Sequence, residues 1–319
     1  MRQFFLRAAL LLAPFAVYAA AIVALDPYDL FEISHLAPDT VKEKTSVPLN
    51  QCLWKMIEYR RKPCENILLG DSRMGELNPD LVSRVAGERY YDFHYGGASL
   101  NEIVDTFWYA SSLVKLKHVY IGVNFNLYSD YNYSARTDSY RSLETNPLLY
   151  FTNRTVLKAA YYTLSRMLTG ADPEFGVPKM SREEYWRNQI GPVTAAWYGR
   201  YVYPVRYHKE LVKIGEYCRK NGVQLRFVIF PSHIELQNRV HDFGLDSAYA
   251  TFKTDLAAIA TTYDYDFDSA ISEDKNNYRD PLHFIPAVSQ MLIQDIWTGK
   301  LDHGRVLPSN GATGEKMHP

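Results

Sequence analysis

The chain has 319 residues, 47% of them hydrophobic, with 35 basic against 36 acidic side chains and a formal net charge of -1. That size suits one substantial core with room for an insertion or small subdomain. Lys and Arg are scattered rather than blocked, which argues against nucleic acid as a partner, and no CxxC or His/Cys cluster has metal-site spacing, so no structural metal is expected.

The N-terminus is an address label. From Ala8 to Leu25 the stretch AALLLAPFAVYAAAIVAL runs 18 residues without a charge, enough to cross a bilayer as a helix. Arg2 and Arg7 precede it while Asp26, Asp29 and Glu32 follow, so the positive-inside rule leaves the rest of the chain outside the cytoplasm. Residues 1–25 therefore read as a single-pass transmembrane anchor or a signal peptide. Ala19–Ala21 resembles a cleavage site, but the apolar run continues past it to Leu25, which favours the anchor. Residues 26–65 read as a stalk with a short helix at LNQCLWKMIEYRRK. Cys52 and Cys64 flank an amphipathic stretch there and form a possible disulfide pair in an oxidising compartment. Cys218 reads as a buried small hydrophobe.

An alternating pattern begins at residue 66. Strand-like NILLGD is followed by helical PDLVSRVA, strand-like RYYDFHYG, helical SLNEIVDTFWYASSLV and strand-like HVYIGVNFN. Such alternation predicts an α/β fold with a central parallel sheet and helices on its faces. Residues 127–200, rich in Tyr, Asn, Ser and Arg, interrupt the order and read as an insertion near the carboxyl edge of the sheet. The order resumes with helix PVRYHKELVKIGEYCRKNG, strand VQLRFVIFP, helix SAYATFKTDLAAIATTY, a short strand YDYDFD and a last helix AVSQMLIQDIWTG. Residues 303–319 read as a disordered tail.

Four landmarks fall at predicted strand ends or before the last helix, where open α/β sheets place ligands. They are Gly70-Asp71-Ser72, the pair Gly96-Gly97, Gly122-Val123-Asn124, and Asp280-Pro281-Leu282-His283. In this order they resemble the blocks of the SGNH, or GDSL-like, hydrolase superfamily, over residues 66 to about 298 with 127–200 unmatched. The resemblance implies a three-layer α/β/α, flavodoxin-like catalytic domain over 66–302. It departs from the family pattern at Arg73, where many members carry an apolar residue, and at Phe125, where they carry Asp.

The chemistry of these residue types agrees with the resemblance. A serine hydroxyl needs a base to take its proton, and His283 is the candidate; Asp280 would orient and charge-support the imidazole. The N–H groups of Ser72 and Gly97 and the amide of Asn124 would form an oxyanion hole. Arg73, Gly96 and His233 stand as candidate substrate contacts, His233 also as a helix-start residue. No P-loop, HExxH or dinucleotide fingerprint is present, so no cofactor is expected. With an N-terminal anchor, the chain looks most like bacterial envelope proteins such as polysaccharide O-acetyltransferases of the alginate-modifying type and the D-alanylation protein of teichoic acids. That implies acyl transfer, acetyl in kind, to an envelope glycan from the periplasmic or cell-surface side of the cytoplasmic membrane, beside a membrane-bound O-acyltransferase partner. An esterase with the same triad and a non-catalytic envelope scaffold are the alternatives.

Overall fold

The computed structural model describes residues 1–176 and 180–308, with the side chains at 2, 5, 6, 8 and 9 outside the described set. The chain divides into two compact units, Met1–Lys62 with Ala135–Pro178, and Pro63–Ser134 with Lys179–Pro319.

The second unit carries the sheet. Strands β1 (Asn66–Gly70), β2 (Tyr91–His94), β3 (His118–Gly122), β4 (Gln224–Ile229), β5 (Thr261–Asp264) and β6 (Arg305–Val306) lie in the order β2-β1-β3-β4-β5-β6. The first five pair in parallel, and β6 pairs antiparallel to β5. The parallel order is the flavodoxin-like one, with the chain reversing direction of winding between β1 and β3. Every residue of β1 is buried, as expected of a strand covered on both faces. On one face Leu68, Tyr120, Val228 and Tyr263 pack with Val82 and with Val288, Leu292 and Ile296, from helices Pro79–Ala86 and Pro286–Thr298. Helices Leu100–Leu113, Val205–Asn221 and Asp246–Ile259 pack against β1, β4 and β5. The predicted strand and helix order is thus realised from residue 66 onward.

The tail is a correction. Residues 303–308 were expected to be disordered, yet Tyr263 pairs with Val306, and Arg305 donates to the buried carboxylate of Asp264 at 2.9 Å. A short edge strand with a cationic anchor was invisible in a segment of such polar composition. The rest of the expected tail, 309–319, lies outside the described residues.

The first unit is all helical. Helix Arg2–Leu25 contains the uncharged stretch, whose side chains 8 and 9 are outside the described set. Among the described residues no helix is long and apolar enough to cross a membrane. The expected stalk is not an extended connector: helix Asp39–Ser46 packs on helix Arg154–Thr169, and helix Gln51–Arg61 on helix Arg136–Thr145. The apolar face Leu53, Met56, Ile57 and Tyr59 is buried there, so its partner comes from within the predicted insertion. That insertion is itself divided, 135–178 joining this unit while 127–134 and 179–200 stay with the sheet. After the first helix, Asp26 accepts N–H bonds from Leu30, Phe31 and Glu32. Lys42, fully buried, pairs with Asp29. The expected Cys52–Cys64 disulfide does not form: Cys52 Sγ faces Met56 and Cys64 Sγ the carbonyl of Arg89. Cys218 is buried as expected, and burial pushes its thiol up to about 12.

Candidate active site

Ser72 follows β1 by two residues. A strand ending in Gly-Asp-Ser turns sharply because Asp71 closes it: its Oδ1 accepts the Arg73 N–H at 3.0 Å, and its carbonyl accepts the Met74 N–H at 3.1 Å. Ser72, half-buried, heads the short helical turn Met74–Glu76.

The second half of the site lies 211 residues further on. Tyr278 bridges Phe284, Arg279 N–H donates to the His283 carbonyl at 2.8 Å, and Ile285 N–H to Asn277 O at 2.9 Å. Inside this tight loop the Asp280 carboxylate accepts the N–H groups of Leu282 and His283 at 2.9 and 3.1 Å. His283 Nδ1 lies 2.9 and 2.7 Å from the two Asp280 oxygens. Its Nε2 lies 2.6 Å from Ser72 Oγ. Nδ1–H therefore donates to Asp280, which leaves Nε2 to accept the serine proton. Burial alone would raise the Asp280 carboxyl, but the hydrogen bond and charge of His283, with the Leu282 and His283 N–H groups, hold it below the usual carboxylate range.

Sequence separation thus collapses for three of the predicted residues. Gly96 and Gly97 form an exposed turn after β2; Gly97 has φ +60°, a conformation that favours glycine, and Ala98 N–H closes the turn on the Tyr95 carbonyl. Tyr95 N–H donates to Gly70 O at 3.0 Å, which holds that turn beside the strand end that delivers Ser72.

Three expectations are corrected. Asn124 is buried, its Nδ2 donating to Phe230 O at 2.8 Å and its Oδ1 accepting Phe230 N–H at 3.3 Å. The amide extends the β3–β4 ladder by one rung past the strand ends instead of presenting itself to the Ser72 turn. Arg73 is not a substrate contact, being 1% exposed. Its Nε and Nη2 grip the Asp71 carboxylate at 3.0 and 2.5 Å, and Nη2 also donates to Asn126 Oδ1 at 2.8 Å. An arginine so buried needs that pairing. His233 is likewise buried at 4% exposure, with burial lowering its imidazole pKa. It caps helix Ile234–Asp242 through Nδ1, as a helix-start residue, and its N–H donates to Pro281 O at 3.0 Å, so it props the loop that bears Asp280 and His283.

Other props had no sequence signal. Arg182 donates to the carbonyls of Lys275, Tyr278 and Arg279 at 2.8, 2.8 and 3.2 Å. Trp186 lies edge-on to His233, with Lys275 over its ring. Asp266, whose carboxyl is raised by burial, accepts Ser232 N–H and Tyr249 O–H at 3.0 and 2.8 Å and so fixes the segment before His233. Contacts spanning dozens of residues between polar side chains and backbone leave no periodicity to read. Among the described residues no group of His, Cys, Asp and Glu is placed to hold a metal ion.

No protein-family profile matches the chain, and no curated protein matches it. Among solved structures it is similar to a protein provisionally described as a platelet activating factor from Streptococcus pneumonia, at 10% identity and a TM-score of 0.37, covering 80% of this chain and 94% of that one. It is also similar to a protein provisionally described as an acylhydrolase from Bacteroides fragilis, at 11% identity and a TM-score of 0.33, covering 75% and 94%. Likeness at that level bears on neither activity nor substrate, which are argued from the site itself.

Proposed function

We propose that this chain is an SGNH-type serine acyltransferase that moves an acyl group, acetyl in the first instance, onto a hydroxyl of a cell-envelope polysaccharide through an acyl-Ser72 intermediate. The observation that carries the reading is the unbroken relay from Ser72 Oγ to His283 Nε2 at 2.6 Å and from His283 Nδ1 to Asp280 at 2.7 Å.

In this mechanism Oγ attacks the donor carbonyl as its proton passes to Nε2. The tetrahedral oxyanion is met by the N–H groups of Ser72 and Gly97, donors of a kind whose loss costs about 2.7–4 kcal/mol of barrier. Collapse expels the leaving group, which takes the proton from Nε2. The acceptor hydroxyl then gives its proton to Nε2, its oxygen bonds to the acyl carbon, and Ser72 Oγ leaves with that proton. Asp280 stays ionised throughout and supports the imidazolium.

The same proposal places the catalytic unit outside the cytoplasm, held at the bacterial cytoplasmic membrane by helix Arg2–Leu25 next to a membrane-bound O-acyltransferase that supplies the acyl group. Two features support it: the charge asymmetry around residues 8–25, and the exposure of Leu10, Leu11, Leu12, Phe15 and Val17, an apolar surface that calls for lipid or protein cover.

The test is intact-mass analysis of the full chain in detergent after mixing with p-nitrophenyl acetate, beside Ser72→Ala. An acetyl adduct on the wild type alone, turned over slowly by water and rapidly by a hydroxyl acceptor, is the expected result. Fast turnover by water with no transfer would make the protein an esterase. No Ser72-dependent adduct would remove the catalytic reading in favour of a scaffold.

A further inference from the structure

The large apolar side chains left exposed among the described residues gather mostly in the helical unit. Helix Arg154–Thr169 carries several of them. Its Val156, Ala159, Ala160 and Thr163 form a buried stripe, with Thr163 Oγ1 2.7 Å from Thr45 Oγ1 of helix Asp39–Ser46. Tyr161, Leu164 and Leu168 form a second apolar stripe at helical spacing, and it is exposed, Tyr161 by 67% and Leu168 by 78%. A helix that packs on one side needs one such stripe; this helix has two. The turn before it, Pro147–Phe151, adds Leu148 and Leu149, also exposed.

Both surfaces are fastened to helix Arg2–Leu25. Tyr18 O–H donates to the Phe151 carbonyl, and Tyr150 O–H donates to Asp26 Oδ1 at 3.0 Å, so the turn grips that helix at Tyr18 and again just past its end. Helix Arg154–Thr169 starts directly after Asn153, which caps it, and packs on the same helix.

Length indicates what covers these surfaces. The uncharged run starts at Ala8, but its last turn is taken up by the protein, since Ile22 and Leu25 are buried. Residues 8–21 remain, which at about 1.5 Å each reach about 21 Å. The hydrocarbon core of a bilayer is about 30 Å thick, which leaves roughly 9 Å to be closed by thinning the bilayer or by bringing flanking apolar surface into it. The flanking surface here is the Leu148–Leu149 turn and the stripe of Tyr161, Leu164 and Leu168. Charge agrees with lipid. Helix Arg154–Thr169 has Arg154, Lys158 and Arg166 and no acidic residue. Arg166 pairs with Asp172, and Lys158 lies over the Tyr162 ring at 5.6 Å, while Arg154 and Lys158 are both exposed. Exposed cations beside tyrosines and leucines suit the anionic headgroup layer and the acyl boundary beneath it.

Resting on the reading of helix Arg2–Leu25 as a membrane anchor, we infer that helix Arg154–Thr169 and the turn Pro147–Phe151 lie in the headgroup and upper acyl layer of an anionic bilayer. The helical unit is then a membrane-embedded platform: the anchor supplies the crossing segment, and the second stripe supplies the depth that the anchor lacks. No contact with a second protein is needed to cover it.

The experiment uses the full chain reconstituted into vesicles of phosphatidylcholine and phosphatidylglycerol. The fluorophore NBD is attached to one introduced cysteine at a time, in Leu11→Cys, Leu164→Cys or Leu168→Cys. The native cysteines are buried, so the wild type treated alike is the blank. Emission at 164 and 168 is expected to be blue-shifted, to lose most of its intensity to lipids with a doxyl group high on the acyl chain, and to resist aqueous iodide. Adding Arg154→Glu and Lys158→Glu to Leu164→Cys should reduce that doxyl quenching, and a signal indifferent to both charges overturns the assignment of an anionic surface. Quenching at 164 and 168 by iodide and not by doxyl lipid overturns the inference, because the stripe then faces water. Shielding from both quenchers also overturns it, in favour of cover by a second copy of this chain. Doxyl quenching at 11 with none at 164 or 168 sinks this inference alone, whereas none at any of the three sinks the anchor reading as well.

Discussion

Replacing Arg182 with Gln removes a clamp from the loop that bears Asp280 and His283 without touching either side chain. The guanidinium donates to the carbonyls of Lys275, Tyr278 and Arg279, the last of them adjacent to Asp280. A hydrogen bond from a charged donor is worth about 1.5–3 kcal/mol when sheltered. The Arg182 side chain is 43% exposed, so water replaces much of each bond, and we expect about 1–2 kcal/mol for all three together. That lowers the ordered population of the loop by roughly 5- to 30-fold relative to its open forms. The intact loop is expected to hold little reserve beyond this, so kcat/KM for p-nitrophenyl acetate falls about tenfold, whereas the melting temperature drops by only about 2–4 °C per kcal/mol. Added methylguanidinium should restore part of the rate, because a free cation can occupy the same three carbonyls; a general loss of folding would not respond. Wild-type activity in Arg182→Gln, or a loss insensitive to guanidinium and matched by a collapse in melting temperature, would refute the clamp.

Arg73→Met leaves the buried Asp71 carboxylate without its cation, and breaking a buried pair this way typically costs about 3–5 kcal/mol; urea unfolding of the two proteins measures it, and a change near zero would mean that Asp71 is solvated. Asn124→Ala leaves Phe230 N–H and C=O unpaired at the β3–β4 junction, with an expected loss of about 1–3 kcal/mol. Its folded fraction should still acquire the Ser72 adduct, and a folded but unreactive Asn124→Ala would return this amide to the oxyanion hole. The pH dependence of Asp280 follows from its lowered pKa. A carboxyl depressed on folding contributes stability that is complete above its unfolded value of about 3.9 and is lost as pH falls through the lower folded value. The stability gap between wild type and Asp280→Asn should therefore hold steady from neutral pH to about 5 and close only in stronger acid. Closure beginning near neutrality would contradict the assignment.

Much of the sheet domain was legible from its periodicity. Short β-branched and aromatic runs separated by amphipathic helices announce a covered parallel sheet because burial on both faces demands apolar residues at successive positions. Ser72, Asp280 and His283 were legible for a different reason: each is fixed by a local turn whose residues are neighbours in sequence, Asp71 closing one and Asp280 the other. The stalk and residues 135–178 of the insertion were misjudged because both belong to one helical unit, and an amphipathic helix states that it has a partner without stating which.

The sequence alone therefore determined the strand–helix alternation, the turn chemistry around Ser72 and His283, and the uncharged stretch at residues 8–25. Tertiary structure decided which polar groups stand at the Ser72 turn and which are drawn away from it. It drew Asn124 into the β3–β4 ladder and buried Arg73 against Asp71. Local turns and periodic burial are properties of neighbouring residues, whereas the direction of a polar side chain depends on which distant backbone or charge offers the better partner once water is excluded.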